Sequence, residues 1–198
     1  KRKAVTLCRE RSMIIYMKKA AIFFGTGYEE IEALTVVDLL RRAGIEAVCV
    51  SINNEKSVTG SHKITVAMDA GIDEIDFDSF DILVCPGGMP GTKNLEACKK
   101  LTDQLRAFYD AGKLIGAICA APSIFGHMGL LEGKKACIFP GMEAELKGSE
   151  VVYDKVVKAD NVITSRGMGT AIAFGLEIIA NLLDAETADK LGKGIVYL

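Results

Sequence analysis

From residue 20 onward, short apolar runs alternate with longer stretches in which apolar positions recur every three or four residues. The runs 20–24, 45–52, 81–85 and 114–118 are bounded by glycine or polar residues, as expected of strands buried on both faces of a parallel sheet. Residues 28–43 have the spacing of an amphipathic helix, stopped by Gly44 in the left-handed position. Segments 57–59 and 63–67, joined by Gly60-Ser61-His62, predict a strand pair. The same reading gives helices over 95–111, 120–128 and 170–183, and a last one in 186–198. It places a strand over 135–139 and a pair over 151–158 and 161–165. Strands alternating with helices through short connections predict an open α/β sandwich with a mostly parallel central sheet. No repeat, low-complexity tract or linker divides residues 17–198, which are expected to form one domain.

The most informative stretch is Leu114-Ile115-Gly116-Ala117-Ile118-Cys119-Ala120-Ala121-Pro122. An apolar strand ends at Cys119, and the following helix begins with Pro122 in its first turn, where a missing N–H does no harm. A sharp strand-to-helix corner lifts its central residue into the open, provided the residues two before and two after are small. Ala117 and Ala121 satisfy that condition. A helix N-terminus facing the sulfur would favour thiolate. The simpler alternative is that Cys119 packs as a small buried hydrophobe.

Composition narrows the classes. The chain has 198 residues, 49% of them hydrophobic, enough for a sizeable core. No apolar run is long enough to span a membrane. A net charge of −2 gives no general reason to expect a nucleic-acid or anionic-lipid partner. The six cysteines form no C-x-x-C pair and there are only two histidines, which argues against common zinc patterns and for free thiols in a reducing, cytoplasmic compartment. Cys49, Cys85 and Cys137 read as inert core, and Cys98, between Glu96 and Lys99, as a surface thiol. Residues 1–16 form a basic lead-in outside the fold, with no apolar segment of signal-peptide type.

Ligands of such sheets bind beyond the carboxyl ends of the strands. Gly25-Thr26-Gly27, Pro86-Gly87-Gly88 and Cys119 are all expected there. The first of these lacks the third glycine of a dinucleotide loop, and Glu29, Glu30 and Glu32 crowd the helix start where a pyrophosphate would sit. Glu32 shares a helical row with Val36, Leu39 and Ala43, without a cation one turn away. Burial would raise its pKa, so that it could donate to a sulfur and later act as general acid or base. Glu29 and Glu30 read instead as solvated first-turn glutamates. Gly87-Gly88, with the N–H of Ala120, could form an oxyanion hole, or be an ordinary Pro-Gly turn. His127 lies eight residues beyond Cys119, about 12 Å along a helix, too far to be its base. His62 sits in a turn and reaches a site only if the fold or a partner subunit brings it there.

Together, Glu29-Glu30-Ile31-Glu32, Asp38-Leu39-Leu40-Arg41-Arg42-Ala43-Gly44, Pro86-Gly87-Gly88, Ala117-Ile118-Cys119-Ala120-Ala121-Pro122 and Thr164-Ser165-Arg166-Gly167-x-Gly169-Thr170 resemble the ThiJ/PfpI superfamily. Within it the resemblance is to the subgroup of the parkinsonism-associated protein deglycase and bacterial YajL, and it covers residues 17–184. It implies a flavodoxin-like three-layer α/β/α sandwich and a homodimer. It also implies Cys119 as an oxidation-prone nucleophile, Glu32 as its carboxyl partner, Gly88 and Ala120 as backbone donors, and Gly87 and His62 near the substrate. Three positions depart from the family pattern. Ala120 stands where PfpI-type peptidases carry histidine, the family's histidine near the site is replaced around Phe139-Pro140, and His62 occupies the hairpin position of an arginine in the animal member.

The activity implied is a glyoxalase or deglycase reaction on a small aldehyde or a glycated protein, independent of glutathione, metal and cofactor. The competing reading is a non-enzymatic sensor or chaperone that works through oxidation of Cys119. Labels of intracellular protease or amidase, and of thiazole monophosphate biosynthesis, attach to relatives but find less support in these residues.

Overall fold

The computed structural model describes residues 17–197, so the basic lead-in lies outside the described residues. In chain order the elements are β1 (Lys19–Phe24), α1 (Glu30–Arg42), β2 (Glu46–Ser51), β3 (Ser57–Thr59), β4 (Thr65–Ala67), β5 (Ala70–Gly71), β6 (Ile82–Cys85), α2 (Gly91–Ala97) and α3 (Lys99–Asp110). Then follow β7 (Leu114–Ile118), α4 (Pro122–His127), β8 (Lys135–Ala136), β9 (Glu150–Val151), β10 (Val156–Ala159), β11 (Val162–Ser165), α5 (Ala171–Leu182) and α6 (Ala185–Gly194).

Seven strands form the central sheet in the order β10-β11-β7-β6-β1-β2-β5, parallel except where β10 pairs antiparallel with β11. Side chains alternate between the two faces of each strand and so feed two cores. Along β1, Ala20, Ile22 and Phe24 pack with Val36 and Leu40 of α1 and Phe174 and Ile178 of α5. Ala21 and Phe23 pack on the other face with Leu101 and Leu105 of α3 and Phe125 of α4. The result is the three-layer, flavodoxin-like α/β sandwich.

Several boundaries differ from the periodicity reading. The helix expected over 95–111 is two helices, broken at Cys98, whose extended backbone (φ −75°, ψ 94°) lets the chain turn. Cys98 is half-buried against the core rather than a surface thiol. The strand expected over 135–139 pairs for only two residues, β8 with β9, before its continuation runs under the Cys119 corner. The strand expected over 151–158 splits into β9 and β10, which belong to different sheets. Tertiary pairing decided these ends, because apolar runs alone do not say where a partner strand stops.

From β1 the chain crosses to β2 on one side, then returns to β6 on the other. Crossovers that leave in opposite directions open a crevice above the strand ends. β7 lies next to β6, so the ends of β1, β6 and β7 share that crevice.

Candidate active site

The residue after β7, Cys119, adopts φ +64°, the left-handed region that a side chain seldom enters. Such strain, on the order of 1–3 kcal/mol, persists only where neighbours fix the backbone. Here the Cys119 N–H donates to the carbonyl of Ser165, and its own carbonyl accepts from the N–H of Phe139, both at 2.9 Å. Ala117 and Ala121 are wholly buried beneath the corner, and Pro122 is the first residue of α4. The corner leaves the Cys119 side chain half-buried.

The loop after β6 closes over this corner. A Cβ on Gly87 would lie 2.6 Å from both the Cys119 Cβ and Glu32 Oε2, so no larger residue fits. The Gly87 N–H donates to Glu32 Oε2 at 3.0 Å, and its carbonyl accepts from the N–H of Glu29 at 2.9 Å. Glu32, in the first turn of α1, is 1% exposed and hydrogen-bonded to Cys119. The backbone N–H groups of Ala120 and Gly88 also hydrogen-bond Cys119.

Burial dominates the electrostatics of the pair. It pushes the Glu32 carboxyl up to about 7, against hydrogen bonds from Cys119 and Gly87, with the Glu29 charge adding to the rise. Burial likewise pushes the Cys119 thiol up to about 12, reinforced by the charge and hydrogen bond of Glu32 and opposed by the Ala120 and Gly88 amides. α4 is only six residues long, and desolvation beside a carboxylate outweighs its field. A site this buried does not hold two adjacent anions, so sulfur and carboxyl share a proton.

Glu30 also departs from expectation. It is 4% exposed rather than solvated, because the β3–β4 hairpin folds over it. Its Oε1 accepts from the N–H groups of His62 (2.8 Å) and Ile64 (3.4 Å), and its Oε2 from Ser61 Oγ (3.2 Å). His62, whose side chain is largely exposed, places Nδ1 3.1 Å from Glu30 Oε2 and 3.5 Å from Glu29 Oε2. The two glutamates lie two residues apart on one helix and point about 200° apart around its axis. The crevice therefore brings together Glu32, Cys119, Gly87, Gly88 and Ala120, whereas His62 is engaged by Glu30. Among the described residues, Glu29, Glu30 and His62 are the one group with metal-ligating atoms within 4.8 Å of one another. His127 spans Glu96 (2.5 Å) and Glu145 (2.7 Å), tying α4 to α2 and to the turn after Phe139.

A cavity of about 910 Å³ lies along the β2 edge beside Arg41, Glu46 and Asp69 and shares no residue with this site. A cleft of about 300 Å³ adjoins Cys119 instead, lined by residues of the Phe139–Pro140 turn and the 166–170 loop. The sequence reading marked Phe139-Pro140 as the place where the family's histidine near the site is replaced, and had the 164–170 stretch as a motif without an assigned part. Their contact with Cys119 is made across the fold, between residues remote in sequence.

Among the described residues no helix is long and apolar enough to cross a membrane. Comparison with known proteins gives a consistent picture. Residues 18–181 match the model of the DJ-1/PfpI family. The chain is 41% identical over 166 residues to protein DJ-1 homolog A of Arabidopsis thaliana, covering 83% of this chain and 42% of that protein. It is 36% identical over 181 residues to protein dj-1beta of Drosophila melanogaster, covering 90% of this chain and 97% of that one. The crystal structure of Drosophila DJ-1beta superposes with a TM-score of 0.88 at 35% identity, covering 92% of this chain and 99% of the other. A relative in Caenorhabditis elegans, 32% identical over 83% of this chain and 88% of its own, bears the name glutathione-independent glyoxalase DJR-1.2. Fold, strand-end geometry and sequence agree, and the chain belongs to the DJ-1/PfpI family.

Proposed function

We propose that this protein converts small α-oxoaldehydes to hydroxy acids without glutathione, with Cys119 as nucleophile and Glu32 as proton shuttle. The observation that carries the reading is the pairing itself. A carboxyl held near 7 is buried against a strained, half-exposed cysteine, with the Ala120 and Gly88 amides on the same residue. The name of the C. elegans relative is consistent with this activity.

In the reactive state Glu32 carries the shared proton, so its charge no longer opposes the thiolate. The sulfur adds to the aldehyde carbon, forming a C–S bond, and Glu32 protonates the resulting alkoxide to give a hemithioacetal. The Ala120 and Gly88 amides stabilise the oxyanion as it develops. Glu32 then takes the proton from the former aldehyde carbon and delivers it to the former ketone carbon, while the hemithioacetal hydroxyl proton passes to the former ketone oxygen. The first carbon is oxidised to a thioester while the second is reduced to an alcohol. Water cleaves the thioester, releasing the hydroxy acid and regenerating the thiol. The balance is one oxoaldehyde plus one water to one hydroxy acid. The same addition would act on early glyoxal adducts of proteins, in a cytoplasmic homodimer.

Lactate formation from methylglyoxal by the reduced protein tests the proposal. Wild type is expected to turn over, Cys119→Ala to lose activity, and Glu32→Gln to fall by about 10²–10⁴-fold, the usual scale of general acid–base catalysis. Absence of turnover in the wild type would overturn it. The half-exposed sulfur favours one second reading, oxidation of Cys119 to sulfenic and sulfinic acid as a stress signal.

A further inference from the structure

The cleft beside Cys119 is built from carbon. Phe139 and Met168 stand on its walls with 47% and 52% of their surfaces exposed. Pro140, Lys155, Arg166, Gly167, Gly169 and Thr170 complete it. The Arg166 guanidinium lies 5.5 Å over the Tyr153 ring and donates to the Tyr153 carbonyl at 3.4 Å. No carboxylate lines the cleft.

Gly167 joins the cleft to the reacting atom. A Cβ at this position would stand 3.4 Å from the Phe139 ring and 4.0 Å from Cys119 Sγ. One glycine thus forms both a wall of the cleft and the floor beside the sulfur. A group bonded to a carbon attacked by Cys119 would extend over Gly167 and onto Phe139 and Met168. The Phe139 amide is itself bonded to the Cys119 carbonyl, which fixes the backbone carrying the ring relative to the Cys119 corner. The volume, about 300 Å³, is ample for a phenyl group, since a cavity of about 150 Å³ holds benzene.

We propose that Phe139, Met168 and Gly167 form a specificity pocket for the apolar substituent of the substrate. The preferred substrates are α-oxoaldehydes bearing an aryl or branched alkyl group rather than the methyl of methylglyoxal. This rests on the aldehyde reading above and adds the part of the substrate that does not react. Burying one additional apolar group in such a pocket gives about 10–200-fold discrimination.

Two measurements test it. The first compares kcat/KM for phenylglyoxal and methylglyoxal in the wild type, Phe139→Ser and Met168→Ser. Both variants alter exposed side chains and leave the backbone bonds in place. The wild type is expected to favour phenylglyoxal at least about tenfold, mainly through a lower KM, and each variant to bring the ratio within about threefold of unity. The second uses no turnover. Phenyl vinyl sulfone and methyl vinyl sulfone are compared as traps for Cys119 by intact mass, each rate divided by that with N-acetylcysteine. In both, the thiolate adds to the terminal vinyl carbon and solvent protonates the neighbouring one. The phenyl reagent is expected to react at least about tenfold faster than the methyl one, and that advantage to vanish in the variants. No phenyl preference in the trapping rates overturns the pocket, whether or not aldehydes turn over. Turnover without preference also overturns it and leaves the aldehyde reading standing. A trapping preference that is lost in the variants, with neither aldehyde consumed, supports the pocket and removes the aldehyde reading.

Discussion

Glu30 and Glu32 occupy the same turn of α1, both have little exposed surface, and their carboxyls are shifted in opposite directions. Burial pushes both upward. At Glu30 it is outweighed by hydrogen bonds from its own backbone N–H, the His62 imidazole and the amides of His62 and Ile64, so its carboxyl lies below the usual value. At Glu32 one backbone amide and one thiol are too few, and the carboxyl rises to about 7. Glu32 lies deep in the fold, where the charged form is penalised most, whereas Glu30 lies just beneath an exposed hairpin and is met by more donors, so depth and donor count together set the two carboxyls apart. Glu30 is a charged pin that fastens the β3–β4 hairpin to the helix. Glu32 is left able to take and release a proton beside Cys119.

The comparison is broken most strongly by neutralising each side chain in turn. Glu30→Gln keeps the shape but removes the charge that several donors address, and is expected to cost about 2 kcal/mol in thermal or urea unfolding at neutral pH. Its contribution is present above the ordinary carboxylate value and is lost as pH falls through the lowered one. Glu32→Gln is expected to do the reverse. The folded protein binds the Glu32 proton more tightly than the unfolded chain, so that contribution is complete below pH 4.5 and is lost as the pH rises through about 7. Above pH 7 the glutamine variant should therefore exceed wild type by up to about 3 kcal/mol, with the gain gone below pH 4.5. Stability curves of opposite sign for the two variants are the expected outcome, and a Glu32→Gln destabilised at pH 8 would contradict it.

A smaller effect sharpens the Glu32 side. The rate of Cys119 alkylation by iodoacetamide is expected to show an inflection near pH 7, where the pair loses its first proton, before any rise at the high pH of the second. In Glu32→Gln that lower inflection should disappear. The smallest effect lies on the Glu30 side. His62, raised first by its hydrogen bond to Glu30 and then by the charges of Glu29 and Glu30, should titrate above 6.5 in an NMR pH series. In Glu30→Gln its midpoint is expected to move down, while the Glu32 inflection in the alkylation profile stays in place.

Parts of this site are written in short stretches of sequence. Ala117, Cys119, Ala121 and Pro122 mark a strand-to-helix corner because the crowding they relieve is between residues close along the chain. Glu32 stands out because its neighbours one turn on are apolar. The distinction between Glu30 and Glu32 is not written there. Both are first-turn glutamates, and the donors that separate them come from a hairpin some thirty residues on and from the loop after β6. The clue available was Gly60-Ser61-His62, a small residue where the hairpin presses on the Glu30 carboxyl.

By itself, the sequence determined the class of fold, the order of its layers and the corner at Cys119. Hydrophobic period and small-residue spacing act between near neighbours and survive in any partner arrangement. Only the tertiary structure decided where the strands at 135–139 and 151–158 stop, in which direction each glutamate's carboxyl is shifted, and that Phe139 and Gly167 lie beside Cys119. Each of these depends on a contact between segments remote in sequence, and desolvation and donor count are set only once those segments meet.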